Sequence, residues 1–205
     1  MLQGALFLLA GFLLALSVLI GNRELRARMS AWKSLADRFG LRYWSGDMGV
    51  SPGLEGSYHD RPVRVRLAVF PIGGTERLHT RVETTCKNPK ALSFVADNQS
   101  GRVARTEGGA LGLPVVSIGD ERLEKIFELH ASNADVARKV LDAKVRERLL
   151  WEERIRFEID GHRVIVDALD AVEDEERLRL LLDLVVMVSD EVDGRTAKAD
   201  KGHHH

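Results

Sequence analysis

The 205-residue sequence predicts an α+β protein: an N-terminal single transmembrane helix, then one antiparallel-sheet domain of about six or seven strands packed with two or three helices. Three observations carry this expectation. Residues 2–20 hold no charged side chain. Short runs of alternating apolar and polar residues, bounded by turn formers, give the period-two signal of half-buried strands. Segments on either side of those runs repeat apolar residues at helical spacing.

From Leu2 to Ile20 only Gln3 and Ser17 are polar, and twelve residues are Leu, Ile, Phe or Val. About twenty residues at about 1.5 Å each make about 30 Å of helix, the thickness of a bilayer core. At roughly 0.3 to 0.6 kcal/mol each, those twelve favour insertion by several kcal/mol. A cleavable signal peptide is the rival, with Ala15-Leu16-Ser17 as a small-residue cleavage site. Against it, no Lys or Arg precedes the run, and the apolar stretch continues through Ile20. We read residues 1–21 as a permanent anchor. Arg23, Arg26, Arg28 and Lys33 follow it, and only the terminal amine precedes it. The positive-inside rule then puts the N-terminus outside and the C-terminal domain in the cytoplasm of a bacterial inner membrane. Gly4, Gly11 and Ala15 share one face of this helix, where Gly11-x-x-x-Ala15 can admit a neighbouring helix closely.

Residues 22–40 form a juxtamembrane amphipathic helix, with Leu25, Met29, Trp32, Ala36 and Phe39 along one seam and Gly40 as its stop. Leu25, Met29 and Trp32 are candidates for an interaction seam, although packing on the chain's own domain is the commoner use of such a stripe. The α+β domain spans 41–194. "LEGSYHDRPVRVRLAVF" reads as a hairpin turning at Asp60-Arg61-Pro62, and Arg64 and Arg66 fall on its solvated face. "HTRVETTCK" and "ALSFVAD" read as two strands joined around Asn88-Pro89. Residues 98–119 form the longest irregular stretch, a loop able to act as a lid. "KIFELHAS" reads as a strand and "NADVARKVLDAKVRERLLWEE" as one helix, capped by Ser132 or Asn133, with its apolar stripe at Ala137, Leu141, Val145 and Leu149. "RIRFEIDGHRVIVDAL" is a hairpin turning at Asp160-Gly161. The last helix, about 173–192, is apolar around most of its circumference, which requires cover on two sides, and its first turn is acidic as the helix dipole favours. Residues 195–205 read as a disordered tail ending in an affinity-tag remnant, so its histidines enter no metal argument.

Charge and motif content narrow the function. A formal net charge of -1 argues against nucleic acid as a partner. The single cysteine, Cys86, excludes an intrachain disulfide and fits a reducing compartment. No phosphate-binding loop, dinucleotide fingerprint, zinc spacing or nucleophile elbow occurs, so no catalytic residue, metal site or cofactor is assigned. His79 and Cys86, seven apart on one strand, face opposite ways and cannot form a nucleophile–base pair. The histidines at 59, 79, 130 and 162 read as exposed polar residues, Cys86 as a core residue, and Trp151 as core packing. Expected partners are the lipid bilayer and a membrane protein or a second copy of the chain. The resulting expectation is a non-enzymatic accessory or interaction subunit, anchored by one helix. The alternative is a membrane-tethered module binding a small molecule or lipid under the 98–119 loop.

Overall fold

A computed structural model describes residues 29–45, 52–72, 75–98 and 112–194. The expected anchor, with Gly4, Gly11 and Ala15, lies outside the described residues, as do Arg23, Leu25, Arg26, Arg28, residues 99–111 and the tail. Among the described residues no helix is long and apolar enough to cross a membrane.

Helix α1 occupies residues 29–39. Strands β1 (Arg42–Trp44), β2 (Gly53–Tyr58), β3 (Arg61–Ile72), β4 (Thr75–Thr85) and β5 (Phe94–Asn98) follow. Then come α2 (Glu121–Ile126), β6 (Phe127–Ala131), α3 (Ala134–Val140), α4 (Ala143–Trp151), β7 (Ile155–Asp160), β8 (Arg163–Ala168) and α5 (Glu175–Asp193). The strands form one antiparallel sheet in the order β1-β2-β3-β4-β8-β7-β5-β6. The α+β class therefore stands, with more strands and helices than the sequence suggested.

Alternation sorts each strand onto two faces. Val63, Val65, Val82, Val166, Phe157 and Phe94 point to one of them and share a single core with Trp32, Leu123, Val145 and Leu181. Each such side chain contributes roughly 1.5–3 kcal/mol by leaving water. The wide apolar girth of α5 has its cover on two sides, β4 and β8 on one and α3 and α4 on the other. The stripe Ala137, Leu141, Val145 and Leu149 is fully buried in this core.

Several local expectations need correction. Residues 133–153 hold two helices rather than one, because Asp142 leaves the helical conformation to cap α4, accepting from Val145 N at 2.8 Å. A short polar side chain that can serve the backbone as a cap competes with helix continuation. Asn133 caps α3. Lys125 and Ile126 end α2, so the strand in "KIFELHAS" starts at Phe127. The first hairpin turns at His59 and Asp60, both at positive φ, while Arg61 and Pro62 are already in β3. The second turns at Gly161-His162, with Asp160 paired to Arg163 and Gly161 at φ +57. Glycine in the first central position is the II′ pattern. Trp151 is 75% exposed, since α4 turns Leu149 and not its last residue to the core. The end of the 98–119 stretch is not irregular: Val115 bridges to His130, and Val116 N donates to Leu129 O at 2.9 Å, adding to the β6 edge.

Two features mark one end of the sheet. β2 pairs with β3 only as far as Arg66, and β8 pairs with β4 only from Thr80, so β3 and β4 continue alone as a two-stranded ribbon to Ile72 and Thr75. Five further residues at about 3.3 Å each make this ribbon about 17 Å long. Beside its base, the Trp44 indole lies over Gly53, where an added Cβ would meet Trp44 Cζ2 at 2.5 Å and Val65 O at 2.6 Å. Gly53→Ala is therefore expected to cost about 2 kcal/mol through overpacking, read as a lowered denaturant midpoint.

Candidate functional site

The second face of the sheet carries no helix among the described residues, and most of its side chains are ionisable. In an antiparallel sheet, residues in register on one face touch across the strands. One transverse row begins Arg42, Glu55, Arg64, Glu83 on β1 to β4 and reaches Glu158 of β7 through Ile165. The next row runs Arg66, Arg81, Asp167, Arg156 and Asp97 from β3 to β5. Alternating strand sequences thus become rows of mostly alternating charge across the sheet, broken where Arg66 lies beside Arg81, which no single segment shows.

The two halves of this face differ. From the β4–β8 seam through β7 to β5 the charges close on each other. Arg81 donates from Nε and Nη2 to the two Asp167 oxygens at 2.6 and 2.8 Å. Arg156 bridges Asp97 at 2.9 Å and Glu158 at 3.0 Å. In the β1–β4 half, Arg42 and Arg64 both pair with Glu55, yet their side chains are 78% and 55% exposed. A cleft of about 540 Å³ opens here, lined by Arg42, Glu55, Arg64, Glu83, Thr85 and Arg163. Such an edge offers guanidinium groups to carboxylate or phosphate, with glutamates that reject a uniformly acidic partner. Hydrogen bonding to Arg42 holds the Glu55 carboxyl below its usual range.

Burial pushes Glu158 up; Arg156 and Arg81 oppose the shift, and Asp160 and Asp167 add to it. The folded protein therefore holds this proton more tightly than the unfolded chain, so stability falls as pH rises from the ordinary glutamate range toward the raised value. Glu158→Gln is expected to remove that part of the fall, visible as a flatter plot of unfolding free energy against pH.

Residues singled out from sequence fall as follows. Trp32 is 1% exposed and faces the domain's own core, Met29 is half-buried, and Lys33 is exposed with Nζ 5.5 Å from the Tyr43 ring centroid. Cys86 follows the last residue of β4 and is buried in the core, where burial raises its thiol pKa. His59 and His162 are exposed, but His79 and His130 are buried, contrary to the expectation from sequence. His130 sits between Leu113 O at 3.2 Å and Glu128 Oε1 at 2.9 Å, because the 113–116 segment covers the β6 edge. Among the described residues no three His, Cys, Asp or Glu side chains are grouped to hold a metal.

No protein-family model matches the chain, and no curated protein matches it in sequence. Among solved structures, the crystal structure of the mycobacterial trehalose monomycolate transport factor A, TtfA, resembles it with a TM-score of 0.54 and 13% identity, covering 82% of this chain and 95% of that one. At this identity the likeness is one of fold.

Proposed function

We propose that this chain is a single-pass, membrane-anchored accessory subunit whose α+β domain lies in the cytoplasm and docks, without catalysis, on a membrane protein complex. The observation that carries this reading is the open β1–β4 half of the charged face: exposed arginines in register with glutamates, beside a half whose charges are already paired. The exposed pairs contribute little to folding, about 0–1 kcal/mol each, which leaves them available to a partner of complementary pattern. The solved structure of similar fold is named as a transport factor, which suits an accessory role in a transport assembly. Purification of the full chain in mild detergent is expected to yield a stoichiometric complex. Arg64→Glu, which sets three acidic groups side by side on β2, β3 and β4, is expected to cost the fold less than about 1 kcal/mol and to weaken that complex at least about tenfold. A lone monomer from both preparations overturns the proposal.

The second reading, a tethered small-molecule or lipid module, rests on the 540 Å³ cleft. The described part of the expected lid pairs with β6, at the opposite edge of the sheet from the cleft. Native mass spectrometry of the purified chain favours this reading if it finds a stoichiometric small adduct.

A further inference from the structure

Across β1 to β4 the row Arg42, Glu55, Arg64, Glu83 alternates strictly in sign and has an even number of members. A row of this kind is complementary to its own reversal. Two copies of one surface meet about a twofold axis, which for apposed faces lies in the plane between them. An axis along the row sets Arg42 against Arg42 and Glu55 against Glu55. An axis along the strands, between β2 and β3, reverses the row instead. Arg42 then meets the second copy's Glu83, and Glu55 meets the second copy's Arg64. All four positions find opposite charge.

The neighbouring rows accept the same arrangement. Toward the turn at His59 this face carries Ser57, Pro62 and Thr85, all exposed and uncharged. On the other side Trp44, Gly53, Arg66 and Arg81 stand in register. Reversal sets Arg66 against the second copy's Gly53 and Arg81 against its Trp44, so no two like charges are brought together. The Trp44 indole over Gly53 gives the incoming Arg66 an aromatic surface to meet. Sheets packed face to face stand about 10 Å apart with their strands nearly aligned, a gap that arginine and glutamate side chains can span from both sides.

We infer that the β1–β4 half of the charged face pairs with the same half of a second copy, about a twofold axis parallel to β2 and β3. The inference rests on the reading of this half as a docking surface, and names a second copy as its occupant. A subunit of a membrane complex then docks by displacing that copy, and must offer the same alternation. Four strands about 4.8 Å apart and three rows about 6.7 Å apart make a contact of about 400 Å² per copy. That is the size of a weak, reversible interface. Its ionic contacts make it sensitive to salt.

Charge reversal tests it on the full chain in mild detergent, carrying Cys86→Ala and a dye at the exposed position 90 through Lys90→Cys. Donor-labelled chain is kept dilute, and acceptor-labelled chain is titrated to about 100 μM, where weak dimers are populated. Chains with no reversal are expected to show energy transfer. Glu55→Arg mixed with itself sets arginine against Arg64 twice, and Arg64→Glu mixed with itself sets glutamate against Glu55 twice. Each is expected to weaken association at least about tenfold. Donor Glu55→Arg with acceptor Arg64→Glu is expected to recover it, because positions 55 and 64 of the two chains again carry opposite charge. Recovery in the mixture also shows that both variants are folded. Transfer that either variant retains alone puts the dimer on another surface and overturns the inference. Loss in both without recovery in the mixture overturns it as well. No transfer between unreversed chains overturns it too, and the docking reading then stands if an unlike subunit co-purifies and is lost with Arg64→Glu. With no such subunit, both fall.

Discussion

Arg61→Ala is expected to lower the unfolding free energy by about 3–5 kcal/mol, the cost of breaking a buried charge cluster by removing one partner. Arg61 is 4% exposed at the start of β3. Its Nε and Nη2 donate to Asp190 Oδ1 at 3.0 and 2.5 Å, and its Nη1 to Asp193 Oδ2 at 2.9 Å and Thr85 O at 3.1 Å. Burial alone would lower its pKa, but the two carboxylates outweigh that and raise it. The Asp193 side chain is 2% exposed and also accepts from Lys87 N at 2.6 Å. Alanine would leave this carboxylate buried at the negative end of α5, whose last turn has no basic residue to offset it. Arg61→Lys keeps the charge but not the fork, so about half the loss is expected. Adding Asp193→Asn to Arg61→Ala is expected to recover part of it, because the orphaned charge is then gone. Denaturant melts of the variants measure all of these, and a loss below about 1 kcal/mol for alanine would mean that water replaces the guanidinium.

The Arg61 cluster also shows where sequence reading stops. Strand alternation at Val63, Val65 and Leu67, the two hairpins, and the all-round apolar girth of the last helix were legible, because each rests on a period within one element. The cluster joins positions about 130 residues apart, and nothing local marks Arg61 as different from Arg64 or Arg66. The turn at His59-Asp60 supplies part of the reason: pairing Tyr58 with Arg61 puts position 61 on the core-side face, where an arginine must find acids. A turn placed two residues later hides that requirement.

The candidate face was legible by strand and not by sheet. Arg64 and Arg66 read correctly as facing away from the apolar side of β3. That Glu55 and Glu83 flank Arg64 follows only from the pairing of β2, β3 and β4. The order that puts β8 between β4 and β7 is a long-range fact. It decides which arginines are consumed by Asp167 and Asp97 and which stay exposed. His130 was misjudged for the same reason, since its cover comes from residues 113–116, read as loop.

Trp32→Ala is expected to cost about 4 kcal/mol, within the range for emptying a large aromatic site. Trp32 is among the largest fully buried side chains, and its environment cannot collapse onto a void easily. Val172, whose carbonyl accepts the indole N–H, is itself pinned through its own N–H to Thr80 Oγ1. Trp32→Phe fills most of the volume and drops only the hydrogen bond, so about 1–2 kcal/mol is expected. The gap between the two variants separates packing from hydrogen bonding. Local stability distinguishes a damaged core from a loosened helix. Leu35, Ala36 and the Arg38–Glu175 ion pair still hold the far end of α1 in the alanine variant. Amide exchange is therefore expected to quicken first in residues 32–36 and at Val172, while β5, β7 and β8 keep their protection. Uniform acceleration across the sheet would show instead that α1 and the sheet unfold as one unit, and that Trp32 supports the whole core rather than the docking of its own helix.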